Sequence, residues 1–313
     1  MAVYRFKLVP RSTFATPLRG DTLFGHLCWA IRNRWGEQRL VALLAAYCHG
    51  KPFAVLSDPF PESVLPRPKL PRTYSTMAVD AAGRKLDKLR NWFALAQAHE
   101  PVKGWRYEER PLAALTHRSH NSIDRLTGTT GSGDDGFAPF VATHLRYAGP
   151  LDLYAVIPGG VSFGADELGL ALADVGTLGY GADSSTGAGR FDVGVAQPTP
   201  IASSARANAW LGLAPFAPQG GGVWDIERCW YAPLVRFGKH GDAAGLSGTP
   251  WKSPILLADT GAVLTPQSWR AAEFIGQGLG GGGQISRTAG FEATVHQGYA
   301  PVLPIEIAMQ VNS

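Results

Sequence analysis

The sequence predicts an α+β protein of two domains, the first ordered strand–helix–strand, long insertion, strand–helix–strand. Three observations predict it. Apolar residues alternate with period two at 3–9, 140–147 and 151–157. They recur at helical spacing over 21–35 and 167–178. A Pro- and Ser-containing stretch, 197–204, then separates these elements from a β-rich remainder. A chain of 313 residues, 45% hydrophobic and with nine tryptophans, can bury a core of that size.

In strand 3–9, Tyr4, Phe6 and Leu8 alternate with Arg5 and Lys7, which gives a half-buried strand with a basic outer face. A Pro/Ser/Thr/Gly stretch leads to Asp21, placed as an N-cap, and a helix carrying Leu23, Phe24, Leu27, Cys28, Ile31 and Trp35. Gly36 breaks that helix, and a second one runs to about Cys48. Residues 53–56 read as a short strand. Residues 61–136 read as an insertion: 65–71 has a proline at every second or third position and is extended. A weak helical pattern covers 85–98, and 128–136 forms a glycine-rich tip. The strands 140–147 and 151–157, divided by Ala148-Gly149-Pro150, read as a hairpin. With the helix 167–178 and the strand 190–196, the order is that of a ferredoxin-like domain. Residues 223–237 and 255–265 supply strands of the second domain.

Between that helix and strand lies 179–191, GYGADSSTGAGRF. Its glycines, Gly179, Gly181, Gly187 and Gly189, permit close backbone approach and exposed N–H groups. Ser184, Ser185 and Thr186 add donors, and Arg190 a cation. This composition suits a phosphate-contacting loop, and it equally suits a flexible helix-to-strand connection.

Charge is distributed unevenly. Residues 62–126 carry 12 Lys/Arg against 7 Asp/Glu; the rest of the chain carries 17 against 18. Three cysteines (Cys28, Cys48, Cys229) are too few and scattered for a disulfide framework or zinc knuckle, and fit a reduced, cytoplasmic setting. No apolar run approaches the roughly 18 residues of a membrane span, and the chain opens on a strand rather than a signal peptide, so no membrane partner is expected.

Several motifs lead nowhere. Gly276, Gly278 and Gly281 match G-x-G-x-x-G, but Gln284-Ile-Ser-Arg287 does not continue as a helix, so no nucleotide cofactor is assigned. Asp259-Thr260-Gly261 is one triplet where aspartic-protease chemistry needs two, and a hairpin turn explains it. His117 and His120 lack Cys or acidic partners at metal-ligand spacing, so no metal is assigned. His26 lies inside the first helix. It is either a helix histidine bonded within the fold or the general acid–base of a metal-independent ribonuclease.

A diffuse constellation is left. Arg67, Lys69 and Arg72 lie on the Pro-rich stretch; Arg118, His120, Asn121 and Arg125 lie on the next arm. Both glycine loops end in arginine, Arg190 and Arg287. Cations and donor amides on loops suit single-stranded RNA, while a charge cluster can also be only a solvated face.

Six stretches, 21–31 (DTLFGHLCWAI), 56–61 (LSDPFP), 65–69 (LPRPK), 121–128 (NSIDRLTG), 179–191 and 296–301 (HQGYAP), resemble the RAMP-superfamily subunit four of the Csm complex. That family is the Cas5 group of type III-A CRISPR effectors. The resemblance spans nearly the whole chain in the family's order, and the first and fifth stretches are its most specific. It implies two ferredoxin-like, RRM-type domains, 1–198 with a thumb at about 61–136, and 199–313. It implies a non-catalytic, prokaryotic cytoplasmic subunit at the foot of the complex. Its partners would be the 5′ repeat-derived tag of the guide RNA, the large Cas10-type subunit, the first backbone RAMP subunit and, near the thumb, the guide–target duplex. By position, 184–190 would line the tag and 118–125 would lie near it. The rivals are an endoribonuclease that processes the guide precursor and a protein-only scaffold.

Overall fold

The computed structural model describes residues 2–74, 81–130, 138–200, 204–220, 223–241, 245–246, 248, 250–286 and 288–308. Strand β1 (Ala2–Pro10) buries Phe6 and Leu8 completely. Helices α1 (Gly20–Trp35) and α2 (Glu37–Leu44) follow, divided at Gly36, whose φ of 91° favours a residue without Cβ. Helix α1 begins one residue before Asp21, which is therefore not its N-cap. The first amide is satisfied from afar, because Gly20 N–H donates to Asp58 Oδ1 at 2.8 Å. Asp58 lies between β2 (Val55–Leu56) and β3 (Phe60–Pro61).

The inserted residues form β4 (Val64–Pro66), α3 (Ala81–Leu89), β5 (Trp92–Ala94), β6 (Tyr107–Glu108) and β7 (Ala113–His120), and β8 (Phe140–Tyr147) follows them. The expected helix 85–98 stops at Leu89. Phe93 is fully buried and stacks on Trp105 at 3.9 Å, so the aromatic pair pulls 92–94 into a strand. Strand β9 (Leu151–Ile157), helix α4 (Ala165–Leu178), β10 (Phe191–Val193) and β11 (Gln197–Pro198) complete the first half. Its sheet runs β10–β1–β9–β2, antiparallel throughout, with β11 also on β1 and β3 also on β9. Leu23, Leu27 and Ile31 of α1 and Leu168, Leu172 and Val175 of α4 share one core with Phe6, Leu8 and Leu153.

β8 and β9 do not form the expected hairpin. β8 pairs with β7 over its full length, and β9 pairs with β1. Every residue of β9 is buried, whereas half of β8 is exposed, so one strand belongs at a sheet centre and the other in an outlying ribbon.

The second half contains β12 (Ala209–Gly212), β13 (Pro233–Arg236), β14 (Ile255–Ala258), β15 (Val263–Leu264), β16 (Phe274–Gly276), β17 (Leu279–Gly280), β18 (Val295–His296) and β19 (Tyr299–Ile305). Its main sheet runs β15–β12–β19–β16; β13–β14 and β17–β18 are separate ribbons. Among the described residues after 178 there is no helix of two turns or more. The helical layer implied for a second RRM-type domain is not seen there. One face of this sheet, with Leu211, Val263 and Leu303, instead packs on Leu65 and Phe93 of the inserted sheet β4–β5–β6, on Trp105 just before β6, and on Phe60 and Tyr154. The insertion thus does two things: residues 64–108 cover the second half, and β7 pairs with β8, just beyond the insertion, in a ribbon outside the two main sheets. The turn 259–261 is likewise no hairpin, since β14 pairs with β13 and β15 with β12.

The terminal glycine run is a packing ribbon. A Cβ on Gly278 would lie 2.7 Å from the Tyr47 carbonyl oxygen, and Gly276 and Gly280 are equally hemmed in by backbone. Nearby, fully buried Gln297 accepts from Leu56 N–H at 3.0 Å and donates to Leu56 O at 2.9 Å, continuing the first sheet's edge with a side chain. Arg287, expected to cap this run, lies outside the described residues. No helix among the described residues is long and apolar enough to cross a membrane.

Candidate nucleic-acid interface

The loop after α4 packs against the turn after β1. Gly181 N–H donates to His26 Nε2 at 3.1 Å, Ala182 N–H to Thr16 Oγ1 at 3.0 Å, Gly189 N–H to Thr13 O at 2.8 Å and Arg190 N–H to Ser12 Oγ at 2.9 Å. Residues 184–186 form a single tight turn, closed by Thr186, Gly187 and Ala188 N–H donating to Asp183 and Ser184 carbonyls. The glycines therefore serve the chain's own close packing. Gly181 has φ 75°, and a Cβ there would sit 2.5 Å from Thr16 Cβ. Gly189, at φ 76°, would press on the Tyr180 backbone. The expected row of open amides is mostly turned inward. Exposed instead are Ser185, Thr186 and the Arg190 side chain, whose Nη1 also donates to Thr177 O at 2.8 Å.

His26 is one of the loop's supports. Its ring lies 4.9 Å from Tyr180, and burial lowers its pKa to about 4. A neutral ring whose Nε2 already accepts a backbone hydrogen bond matches the reading of a histidine bonded within the fold.

On the other side of the loop lies the β7–β8 ribbon. His144, buried on β8, has Nδ1 2.9 Å from Thr13 Oγ1 and Nε2 3.1 Å from Asp183 Oδ2. His120 ends β7, stacks on its cross-strand partner Phe140 at 5.2 Å, and lies 6.1 Å from the His144 ring. Two stretches about sixty residues apart in sequence, 118–125 and 181–190, so become neighbours. Arg118 is exposed on β7. Beyond it, Asp124 closes a turn by accepting from Leu126 N–H and Thr127 Oγ1, which leaves Asn121 and Arg125 exposed.

The remaining predicted cations are elsewhere. Arg67 donates to both Asp87 oxygens, at 3.0 and 3.2 Å, and stacks on Tyr107. Lys69 Nζ donates to Asp259 Oδ2 at 2.9 Å. Both are engaged inside the fold. Part of the basic excess of 62–126 is therefore neutralised in place, Arg72 included, which pairs with Asp87.

Lys69 belongs to a second polar cluster that sequence reasoning did not assemble. Arg19 Nη1 bridges Asp58 Oδ2 at 2.8 Å and Asp259 Oδ1 at 3.0 Å, and Thr260 Oγ1 donates to Asp58. Burial raises the Asp58 pKa, while the donors Arg19, Thr260 Oγ1 and Gly20 N–H, all aimed at its oxygens, act against that rise. Asp21 pairs with Arg236 at 2.6 and 3.0 Å. His296 Nε2 lies 3.4 Å from the same carboxylate, out of hydrogen-bond alignment, so Arg236 is the firmer partner. Burial pushes the Asp21 carboxyl up, and His296 and Arg236 bring it down to about 2. Asp21, Asp58, Lys69 and His296 all come from stretches that carry the resemblance. Here they fasten the first half to the second. Asp183 has one local signal, its place in the glycine loop, and His144 has none; their meeting is a tertiary event.

No protein-family model and no curated protein matches the chain. Solved structures do. A crystal structure of a Csm1–Csm4 cassette in complex with cA4 matches with TM-score 0.62 at 15% identity, over 98% of this chain and 99% of that chain. A Csm3–Csm4 subcomplex of the type III-A CRISPR–Cas interference complex matches with TM-score 0.59 at 14% identity, over 97% and 99%. Csm4 is common to both, and this chain has the Csm4 fold from end to end.

Proposed function

We propose that the chain is a non-catalytic, RNA-binding subunit of a type III-A CRISPR (Csm) interference complex. In this reading it holds the 5′ repeat-derived tag of the guide RNA and anchors the large Cas10-type subunit at the foot, beside the first backbone subunit. It is built from two RRM-related domains, the second with its helical layer replaced by the insertion. The β7–β8 ribbon is the thumb beside the guide–target duplex. The observation that carries the RNA reading is the meeting of 118–125 with 181–190. The two stretches meet through His120, His144 and Asp183, and Arg118, Asn121, Arg125, Ser185, Thr186 and Arg190 are exposed within them. Cations positioned on phosphates and hydroxyls on sugar or base edges are what tag binding requires. The whole-length likeness to Csm4 supports the partners, since the matched structures pair Csm4 with Csm1 and Csm3.

The test is RNA crosslinking with mass spectrometry on the reconstituted complex. Tag crosslinks in peptides 118–125 and 181–190 are expected; crosslinks confined to neighbouring subunits would sink the assignment and favour a protein-only scaffold. Cleavage of a repeat hairpin by the isolated chain, abolished by His26→Ala, would establish the endoribonuclease instead.

A further inference from the structure

We propose that His120, His144 and Asp183 form a binding site for a divalent cation of the zinc class, which pins the glycine loop to the β7–β8 ribbon. The three ligand atoms all lie within 4.8 Å of one another. Two histidines on one ribbon face and an aspartate from the facing loop make a mixed nitrogen–oxygen set, the kind zinc takes with a fourth position left for water. Tetrahedral zinc needs its ligands about 3.3 Å apart, so side-chain rotations on the order of an ångström complete the set.

Three details point to a ligand rather than to coincidence. His120 Nε2 is closed off from solvent and has no hydrogen-bond partner among the described residues. A buried imidazole nitrogen is normally satisfied, and a cation would satisfy this one. Its ring plane is fixed by stacking on Phe140. His144 is held from behind, its Nδ1 on Thr13 Oγ1, which leaves Nε2 directed at Asp183. Outer-shell hydrogen bonds of this kind fix ligand histidines in metal sites. Asp183 itself sits at φ 60°, an unusual conformation for a residue with a side chain, and its carboxylate reaches across from the loop. The site joins residues from three chain segments, which is why His117-x-x-His120 showed no metal spacing in the sequence. The inference does not depend on the RNA reading; it gives that surface a rigid joint.

The experiment uses the untagged full chain, stripped with chelator. Zn²⁺ is titrated calorimetrically and Co²⁺ by visible absorption. About one equivalent of each is expected, with the intense ligand-field bands of a low-coordinate cobalt site. His120→Gln and Asp183→Asn should each weaken Zn²⁺ binding about ten- to a hundredfold, while His117→Gln, on the other strand face, leaves it unchanged. Hydrogen exchange on the wild-type chain supplies a readout free of variant folding: Zn²⁺ should slow 180–189 and 116–120 together. No stoichiometric uptake, wild-type affinity in both ligand variants, or no zinc-dependent slowing at 180–189 would each overturn the site.

Discussion

Two polar regions of this molecule are built from the same residue types and do opposite things. Asp58 and Asp21 are nearly inaccessible, and each guanidinium or ammonium around them has a carboxylate within 3.0 Å. Along the ribbon and glycine loop, Arg118, Arg125 and Arg190 are exposed, and Arg190 meets a helix-end carbonyl rather than a carboxylate. The first region fastens two halves together; the second presents charge outward. Burial and pairing, not composition, separate a clamp from an interface. A cation that is already neutralised in the fold has little left for phosphate.

The sharpest way to break this contrast is Asp58→Ala. It removes the acceptor of Gly20 N–H, Arg19 and Thr260 together and leaves a guanidinium half-buried beside Asp259. Denaturant unfolding should show a loss of about 3–5 kcal/mol, with Asp58→Asn milder because one acceptor oxygen is kept. A near-neutral Asp58→Ala would mean the halves are held by the apolar cores alone.

Acid probes the loop's support next. His26 is neutral in the fold with a pKa of about 4, against 6.5 ordinarily. The unfolded chain binds its proton first, so this stabilisation is complete above pH 6.5 and is lost as pH falls through about 4. The wild type should lose about 3 kcal/mol across that window, and His26→Gln should flatten that part of the profile. Asp21 acts in a lower window: with its pKa near 2 instead of 3.8, its contribution of about 2 kcal/mol is present above pH 3.8 and disappears as pH falls through 2. Arg236→Ala should move that loss to higher pH. Profiles that do not change in these variants would place the titrating groups elsewhere.

What could be read from the sequence, and what could not, follows the same division. Periodicity located β1, α1, β9 and α4, because each carries its burial pattern in its own residues. Strand partners are not legible where pairing is a long-range choice: β8 pairs with β7 rather than the adjacent β9. The cover that 64–108 gives the second sheet has no local signature either, since Leu65 and Phe93 look apolar wherever they pack. In the site, 179–191 stood out by composition, but the reason its glycines are needed lies in Thr16, Tyr180 and His26. Arg67 and Lys69 looked like Arg118 and Arg125 because charge is visible in a sequence and its partner is not.

The smallest effect on stability gives the cleanest discrimination between the two classes of cation. Arg118→Ala and Arg125→Ala should leave the unfolding midpoint within about 0.5 kcal/mol of wild type, as substitutions on a solvated surface do. Each should nonetheless weaken binding of a tag-length RNA by the assembled complex. If each cation neutralises one phosphate of a single strand, its removal lowers the slope of log K against log salt by about 0.7. Arg67→Ala should do the reverse: it strips Asp87 of its stacked, two-oxygen partner, so stability falls while the salt slope stays put. Measuring affinity at several salt concentrations for these variants separates loss of a phosphate contact from loss of fold, which a single affinity value cannot do. A salt slope reduced by Arg67→Ala but not by Arg118→Ala would invert the comparison and make the Pro-rich stretch, not the ribbon, the RNA-facing surface.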